Sequence, residues 1–341
     1  MYHYKYIFFN TMDGSRNKSY PDGYNTICAH DLLGSEDVEV VETPLYYSSS
    51  FVRNIYGFHN SKSINNKLRL PFKSLWYPYY FRSKPGNKPF CFIILQHNLP
   101  IEYLQWLKKR YPNCKIVLMH RDLKKVCLRA NPKLPDNPLL DLEMTYDKGE
   151  SKQYGYPWFS EYESRIDIPV SEIPESDVFF AGRVKDRLPK IMEAYEVFSA
   201  AGMKTFFYLT GVPEKDRKPY EGIVYSDHNM SYKEMLTHTV NTRCVLEINQ
   251  GNSDGYTSRF LESVIYGKRL VTNNQSIKES PFYKSGHIQV VNEISEINTD
   301  VIKKGNGFVD YQYNGEFSPF RMIDRVDEEL IKKYGVPGFK K

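Results

Sequence analysis

Short apolar runs recur along this chain, and most are followed by a stretch with helical periodicity. That alternation constrains the fold more than any other feature, because strands separated by helices build parallel sheets from βαβ units. In the first half the strand-like runs are residues 4–9, 38–42, 90–95 and 115–120. Helical stretches are predicted at 24–33, from 49 to 56, and at 100–111. A proline opens the last of these, as helix starts favour. The pattern then weakens, with one short strand at 142–146. "DIPVSEIPESD", residues 167–177, carries two prolines and several small or acidic residues and reads as a linker. After it the alternation restarts. Strands at 177–181, 204–210, 244–248 and 269–272 alternate with helices at 187–201, 231–239 and 257–266. Gly202 and Gly267 follow two of these helices, where a left-handed cap is wanted. A last helix, 322–334, has Asp324 and Asp327 early and Lys332 and Lys333 late, in accord with the helix dipole.

A length of 341 residues suits two domains rather than one core. The expected division is an N-terminal α/β domain at 1–166, the linker at 167–177, a second α/β domain at 178–317, and a terminal helix and tail at 318–341. Hydrophobic residues at 41% and charged residues at 26% fit a soluble globular chain. A net charge of +5 is too weak for a dedicated nucleic-acid binder and suits anionic substrates or an anionic membrane surface. The five cysteines are odd in number, lack a C-x-x-C spacing and sit mostly in apolar runs. They read as reduced and buried, which points to the cytoplasm. "MYHYKYIFFN" is too short and polar for a signal peptide. No run approaches the ~20 apolar residues of a membrane span. The 28 tyrosines suit a sugar-binding surface, with a flat apolar face and a hydroxyl, or reflect a compositional habit of the source genome.

The chemistry-bearing stretches lie where the second domain's strands end. In an open parallel sheet, ligands sit beyond the carboxyl ends of the strands, over helix N-termini. The loop at 249–256, containing Gln250, Gly251, Gly255 and Tyr256, is in that position. Its glycines allow a close backbone approach. Thr257 and Ser258 open a helix whose first amides favour an anion such as phosphate. Glu262 lies one turn on, set apart from the core-facing Phe260, Leu261, Val264 and Ile265. There it is placed to accept hydrogen bonds from a ribose diol, or it is merely a solvated helix residue. On the first reading its loss weakens nucleotide binding with little loss of stability. In "FFAGRVKDR", residues 179–187, a strand ends at Gly182, and Arg183, Lys185 and Arg187 follow. Such cations suit a diphosphate. "YLTG" ends another strand at Gly211. In "SYKEML", residues 231–236, Ser231 and Glu234 form a capping box, and Tyr232 is placed to stack on a base.

These four stretches, in this order and continued through "CVLEINQGNSDGYTSRFLESVIYGKRLVTNN", resemble the donor-binding half of GT-B-fold glycosyltransferases. The likeness is to bacterial enzymes of capsule, exopolysaccharide and lipopolysaccharide biosynthesis. "MTYDKGESKQYGYPWFSEY", residues 144–162, is similar to a segment those proteins carry at the end of their first domain. The resemblance covers residues 141–274; the part before it matches in α/β layout and in "LRLPFKSLWYPYYF". It implies two Rossmann-like domains facing a cleft, with a terminal helix crossing back to the first. It implies a nucleotide-sugar donor on the second domain and a glycan or lipid-linked glycan acceptor on the first. Arg183 and Lys185 would meet the diphosphate, residues 255–258 would supply helix-start amides, and Glu262 would bind ribose. Retaining members commonly carry two glutamates eight positions apart; here Asp254 stands eight before Glu262, which tilts the expectation toward inversion. An inverting transfer needs a base on the acceptor hydroxyl. Asp13, in the loop after the first strand, is the first candidate, with Asp31 and His97 behind it. A nucleotide-sugar epimerase of the same fold and a non-catalytic glycan- or nucleotide-binding partner are the rival readings.

No G-x-G-x-x-G, Walker A or zinc spacing is present. No cofactor and no obligatory metal are expected, with cationic side chains and helix dipoles stabilising the leaving diphosphate. "KSLWYPYYFRSKPGNK", residues 73–88, mixes five aromatics with basic residues. It reads as a buried helix end followed by a basic loop, or as a peripheral contact with the inner face of a membrane.

Overall fold

The computed structural model describes residues 2–11, 23–42, 49–65, 67–68, 70–84, 86–95, 99–169, 173–249, 255–284, 286–304 and 307–337. The chain divides into two compact units. Unit 1 comprises Met1–Pro21, Cys28–Ser160 and Pro319–Lys341; unit 2 comprises Asp22–Ile27 and Glu161–Ser318.

Unit 1 is a five-stranded parallel sheet: β1 (Lys5–Thr11), β2 (Val38–Glu42), β3 (Phe90–Leu95), β4 (Lys115–His120) and β5 (Leu142–Thr145), in the order β2-β1-β3-β4-β5. β3, FCFIIL, is buried at all six positions. A central strand covered on both faces requires such a continuous apolar run. Aromatic rings fill one side: Phe9, Phe81, Phe92, Tyr77, Tyr80, Tyr103 and Tyr111 share one buried cluster. Many tyrosines therefore serve the core. The stretch 73–88 is divided in the same way: Tyr77, Tyr80 and Phe81 are buried, whereas Leu75 and Tyr79 are exposed.

The terminal helix, Pro319–Tyr334, belongs to unit 1 and starts three residues before its predicted first residue, Met322. Met322, Ile323, Val326 and Leu330 form its buried stripe. Tyr2 Oη donates to Asp324 Oδ1 at 2.8 Å and Tyr6 Oη to Asp327 Oδ1 at 2.5 Å. Lys333 Nζ and Tyr334 Oη donate to the Asp141 carbonyl at 2.7 and 2.9 Å. The helix thus returns the C-terminal part of the chain to the first sheet.

Unit 2 is a six-stranded parallel sheet: β6 (Ser176–Arg183), β7 (Thr205–Thr210), β8 (Ile223–Ser226), β9 (Thr242–Glu247), β10 (Arg269–Thr272) and β11 (Ile288–Val290). Their order is β11-β10-β9-β6-β7-β8. Numbered from β6, this is the 3-2-1-4-5-6 order of dinucleotide-binding sheets, whose strand order reverses between the first and fourth strands. That point is the β6–β9 pair, where Val178 lies beside Cys244. The edge strands β8 and β11 were not predicted, because both are short and half-covered and carry little hydrophobic pattern.

Two Rossmann-like parallel sheets with a terminal helix returned to the first constitute a GT-B-like architecture. All five cysteines are buried and none forms a disulfide. Among the described residues, no helix is long and apolar enough to cross a membrane.

Candidate functional site

The carboxyl ends of β6, β7, β9 and β10 present Gly182 and Arg183, Thr210 and Gly211, Glu247, and Thr272. The structure therefore brings together three stretches that lie far apart in the sequence. Arg183 is exposed and sits beside Thr210 in the sheet. Its stem lies over Gly211: a Cβ at that glycine would stand 3.2 Å from Arg183 Cγ. Gly211 also has φ +76°, so both its backbone and its missing side chain serve the approach of the arginine. Lys185, two residues on, is exposed and holds φ +47°, an uncommon conformation for a side-chain-bearing residue.

Arg187 closes the point of reversal. Its Nη1 donates to the Ile248 carbonyl at 2.6 Å and its Nη2 to the Arg183 carbonyl, so one guanidinium ties β6's end to β9's. Burial pushes this guanidinium's pKa down, against the pull of Asp186 and Glu247.

Behind this edge lies a buried charged cluster. Glu247, the last residue of β9, is 4% exposed and accepts from the hydroxyls of Thr257 and Thr272. Burial raises its carboxyl above the usual range; the two threonines, Arg259 and Arg187 pull the other way. Glu262 is fully buried. Arg259 Nη1 reaches both its oxygens, at 2.7 and 2.6 Å, and Tyr232 Oη donates to Oε1 at 3.1 Å. Arg259 Nη2 also donates to the Ala181 carbonyl at 3.2 Å, linking the pair to β6. Burial disfavours the Arg259 cation, but the Glu262 carboxylate beside it outweighs this and holds it charged.

The position of Glu262 departs from the sequence expectation. Helix Ser258–Ile265 is covered on every side, and all six residues from Phe260 to Ile265 are buried. No solvated face exists for Glu262 to occupy, so its charge is matched inside by Arg259. The expectation that Glu262 can be removed with little loss of stability does not fit this position: the half-buried Arg259 guanidinium would be left without the carboxylate it pairs with.

The loop after β9 is held at both ends by the asparagines after β10. Asn249 N donates to Asn273 Oδ1 at 2.6 Å, and Asn274 Nδ2 donates to the Gly255 carbonyl at 3.0 Å. Gln250, Gly251 and Asp254 lie outside the described residues. Tyr256 is buried, with its ring 4.9 Å from Phe260. Thr257 caps helix Ser258–Ile265 by backbone position only; its hydroxyl is turned to Glu247, so its own side chain does not close the first-turn amides. Ser258 is half-buried at the first helical position. Ser231 caps helix Tyr232–Val240, accepting from Glu234 N at 3.2 Å, and Tyr232 is buried with its hydroxyl on Glu262.

Sequence reasoning passed over Glu247 and Arg259. Each left a signal: Glu247 is a carboxylate directly after the apolar run 244–246, and Arg259 precedes Glu262 by three, a pairing distance on a helix.

Of the base candidates, Asp13 and His97 lie outside the described residues. Asp31 is half-buried in the 3-10 turn His30–Leu32, which leads into the amino end of β2. The carboxyl edge of unit 1 carries a different cluster. His120, the last residue of β4, is fully buried, with Nε2 2.9 Å from Glu143 Oε2. Tyr156 stacks on its ring at 5.4 Å and donates its hydroxyl to Asp136 Oδ1 at 2.5 Å. Lys124 Nζ is 2.7 Å from Asp136 Oδ2 and, with Tyr156, holds that carboxyl below its usual range. Among the described residues, no three His, Cys, Asp or Glu side chains converge into a group that could hold a metal ion.

No family model matches the chain, and no curated protein matches it in sequence. Solved structures do resemble it. The N-terminal domain of Candida albicans trehalose-6-phosphate phosphatase is similar over 96% of this chain and 92% of that one, at 11% identity and a TM-score of 0.50. An α-glucosyltransferase solved in complex with UDP is similar over 96% and 95%, at 14% identity and a TM-score of 0.46. A Streptococcus agalactiae Glycosylation Associate Protein (Gap123) complex matches 80% of this chain at 12% identity and a TM-score of 0.44, and the chain spans only 60% of that protein's length. At these identities the likeness is one of fold.

Proposed function

We propose that this chain is a glycosyltransferase that moves a sugar from a nucleotide-sugar to a hydroxyl of a lipid-linked surface glycan at the cytoplasmic face of a membrane. The observation that carries the reading is the carboxyl edge of unit 2. An exposed Arg183 ends β6 and lies over Gly211 after β7 on one side of it; on its other side, where the strand order reverses, β9 leads toward the start of helix Ser258–Ile265. Cations, close glycine backbone and helix-start amides at that point suit a diphosphate.

In this reading Arg183, Lys185 and the first-turn amides after Thr257 and Ser258 take the diphosphate, with Gly182, Gly211 and Gly255 allowing the approach. Gln250, Tyr232 and Tyr256 flank the nucleoside. Glu262 receives a ribose hydroxyl when the Tyr232 hydroxyl gives way; burial raises its carboxyl, and Arg259 and Tyr232 pull it back down. The acceptor oxygen attacks the anomeric carbon, the bond from that carbon to the diphosphate breaks, and the nucleoside diphosphate departs. Arg183 and the helix amides offset the charge that develops on it. The acceptor proton passes to a base, for which Asp13 is the first candidate. The configuration at the anomeric carbon inverts.

Thermal-shift titration with UDP, GDP, CMP and TDP tests the site. One of these nucleotides should stabilise the protein, and Arg183→Ala should weaken its binding about 10- to 100-fold, as expected for about 1.5–3 kcal/mol in a hydrogen bond to a charged group. Unchanged affinity in that variant would remove the diphosphate site. Release of nucleotide only in the presence of acceptor lipid supports transfer. Conversion of the nucleotide-sugar to its epimer, without acceptor and without net nucleotide release, points to the epimerase; release without acceptor is hydrolysis of the donor, and binding with neither points to a non-catalytic partner.

A further inference from the structure

The charge of the chain is unevenly distributed. Residues 43–101 contain eight Lys and Arg and no Asp or Glu, although the whole chain is only +5, so the remainder is net −3. The same segment carries the helix Ser50–His59, none of whose residues is buried. Its Val52 and Tyr56 turn toward the core of unit 1, where the Tyr56 hydroxyl lies 2.8 Å from that of Tyr80. Its Phe51, Ile55 and Phe58 fall within another arc of about 60°. They are 72%, 43% and 62% exposed. The apolar surface of this helix is therefore wider than the core it covers.

The following segment extends this surface. His59 fastens it: Nε2 lies 2.7 Å from the Pro71 carbonyl, Nδ1 accepts from Trp76 Nε1 at 2.7 Å, and the His59 carbonyl accepts from Lys73. Leu68, Phe72 and Leu75 of this segment are each about two-thirds exposed or more. Phe72 holds φ +61°, a strained conformation for a bulky residue whose ring stands in solvent. Lys67 and Lys84 are exposed within the same carboxylate-free stretch.

We propose that this face of unit 1 docks on an anionic lipid surface. Phe51, Ile55, Phe58 and Phe72 enter the interfacial region, and Lys67 and Lys84 meet the headgroups. Charge complementarity selects the occupant. A protein partner or a second copy would have to supply all the acidic charge itself, whereas an anionic leaflet does so everywhere and attracts basic segments beside apolar anchors. The proposal rests on unit 1 alone and does not require the nucleotide-sugar reading.

The test is co-sedimentation of the full chain with vesicles of phosphatidylglycerol and phosphatidylcholine, and with phosphatidylcholine alone, at low salt. The chain should sediment with the first and little with the second. A Phe51→Ser, Ile55→Ser, Phe58→Ser variant and a Lys67→Glu, Lys84→Glu variant should each lose about tenfold or more in vesicle affinity. All five positions are exposed, so unfolding temperature and nucleotide-induced thermal shift should stay at wild-type values. No sedimentation with the anionic vesicles, or equal sedimentation of wild type and both variants, overturns the proposal. A wild-type dimer that the triple serine variant dissolves overturns it in favour of a second copy.

Discussion

The two units are both parallel sheets, yet they dispose of charge and apolar surface in opposite ways. Unit 2 buries two carboxylates, Glu247 and Glu262, against Arg187 and Arg259 at its carboxyl edge. Among its described residues only Val224 and Phe308 are large exposed hydrophobics. Unit 1 places a milder pair, His120 and Glu143, at the equivalent edge, and it leaves Phe51, Phe58, Leu68 and Phe72 in solvent. A buried ion pair adds little net stability over a well-packed apolar pair, while breaking one is costly. The charged cluster of unit 2 is therefore poorly explained by folding alone. The exposed side chains of unit 1 are likewise poorly explained by its core.

Removing one carboxylate from each edge breaks the comparison most directly. Glu262→Ala strands the Arg259 guanidinium, which Glu262 contacts through both oxygens, and should cost about 3–5 kcal/mol. Glu143→Ala leaves His120 Nε2 and the Asp136 amide each without one hydrogen-bond partner and should cost about 1–3 kcal/mol. Denaturant unfolding, followed through the transition of the unit concerned, measures both. Equal costs would mean that the two edges are electrostatically alike after all.

Two glycines sharpen the contrast at a lower energy. Gly155 in unit 1 has φ +71°, and a methyl group there would meet no atom within 4 Å; Gly211 in unit 2 has φ +76°, with Arg183 at 3.2 Å. Alanine at either should cost about 1–2 kcal/mol through the left-handed backbone. Only Gly211→Ala should also weaken nucleoside diphosphate binding, because its methyl displaces the Arg183 stem. Calorimetric titration of both variants decides this. Equal affinities would uncouple Gly211 from the site.

What the sequence disclosed follows the same division. The continuous FCFIIL run announced a strand covered on both faces, and Gly202 and Gly267 marked helix ends that the structure closes with φ +68° and +62°. Those signals are local. The β8 and β11 edges were not legible, because short half-exposed strands lack a periodic pattern. Helix Lys124–Ala130 was hidden in a turn-rich stretch. The strand ends at Gly182, Arg183 and Gly211 were legible, and their meeting at one sheet edge follows from strand order. Glu262 was misjudged in its surroundings, since amphipathic reasoning assumes that one helix face meets water. The absence of acids from residues 43–101 was in plain view but disappears in an overall charge of +5.

The smallest effect tests the other buried acid. Among the described residues Glu247 pairs directly with no guanidinium; its oxygens accept from Thr257 and Thr272. Burial raises its carboxyl above the unfolded value. A raised carboxyl binds its proton more tightly in the folded state than in the unfolded one. Its contribution is therefore fully present below the unfolded pKa of about 4.3 and is lost as pH rises through the folded value. Above that window the wild type carries a desolvated charge, whereas Glu247→Gln keeps the shape and one acceptor and loses the charge. The variant should match the wild type in acid and become the more stable of the two as pH rises toward neutrality, by on the order of 1 kcal/mol, because it no longer carries a desolvated charge. Unfolding curves of the pair between acid and neutral pH give the difference directly. A variant that grows less stable than the wild type with rising pH would show that the pull of Arg187 and Arg259 outweighs burial at this carboxylate.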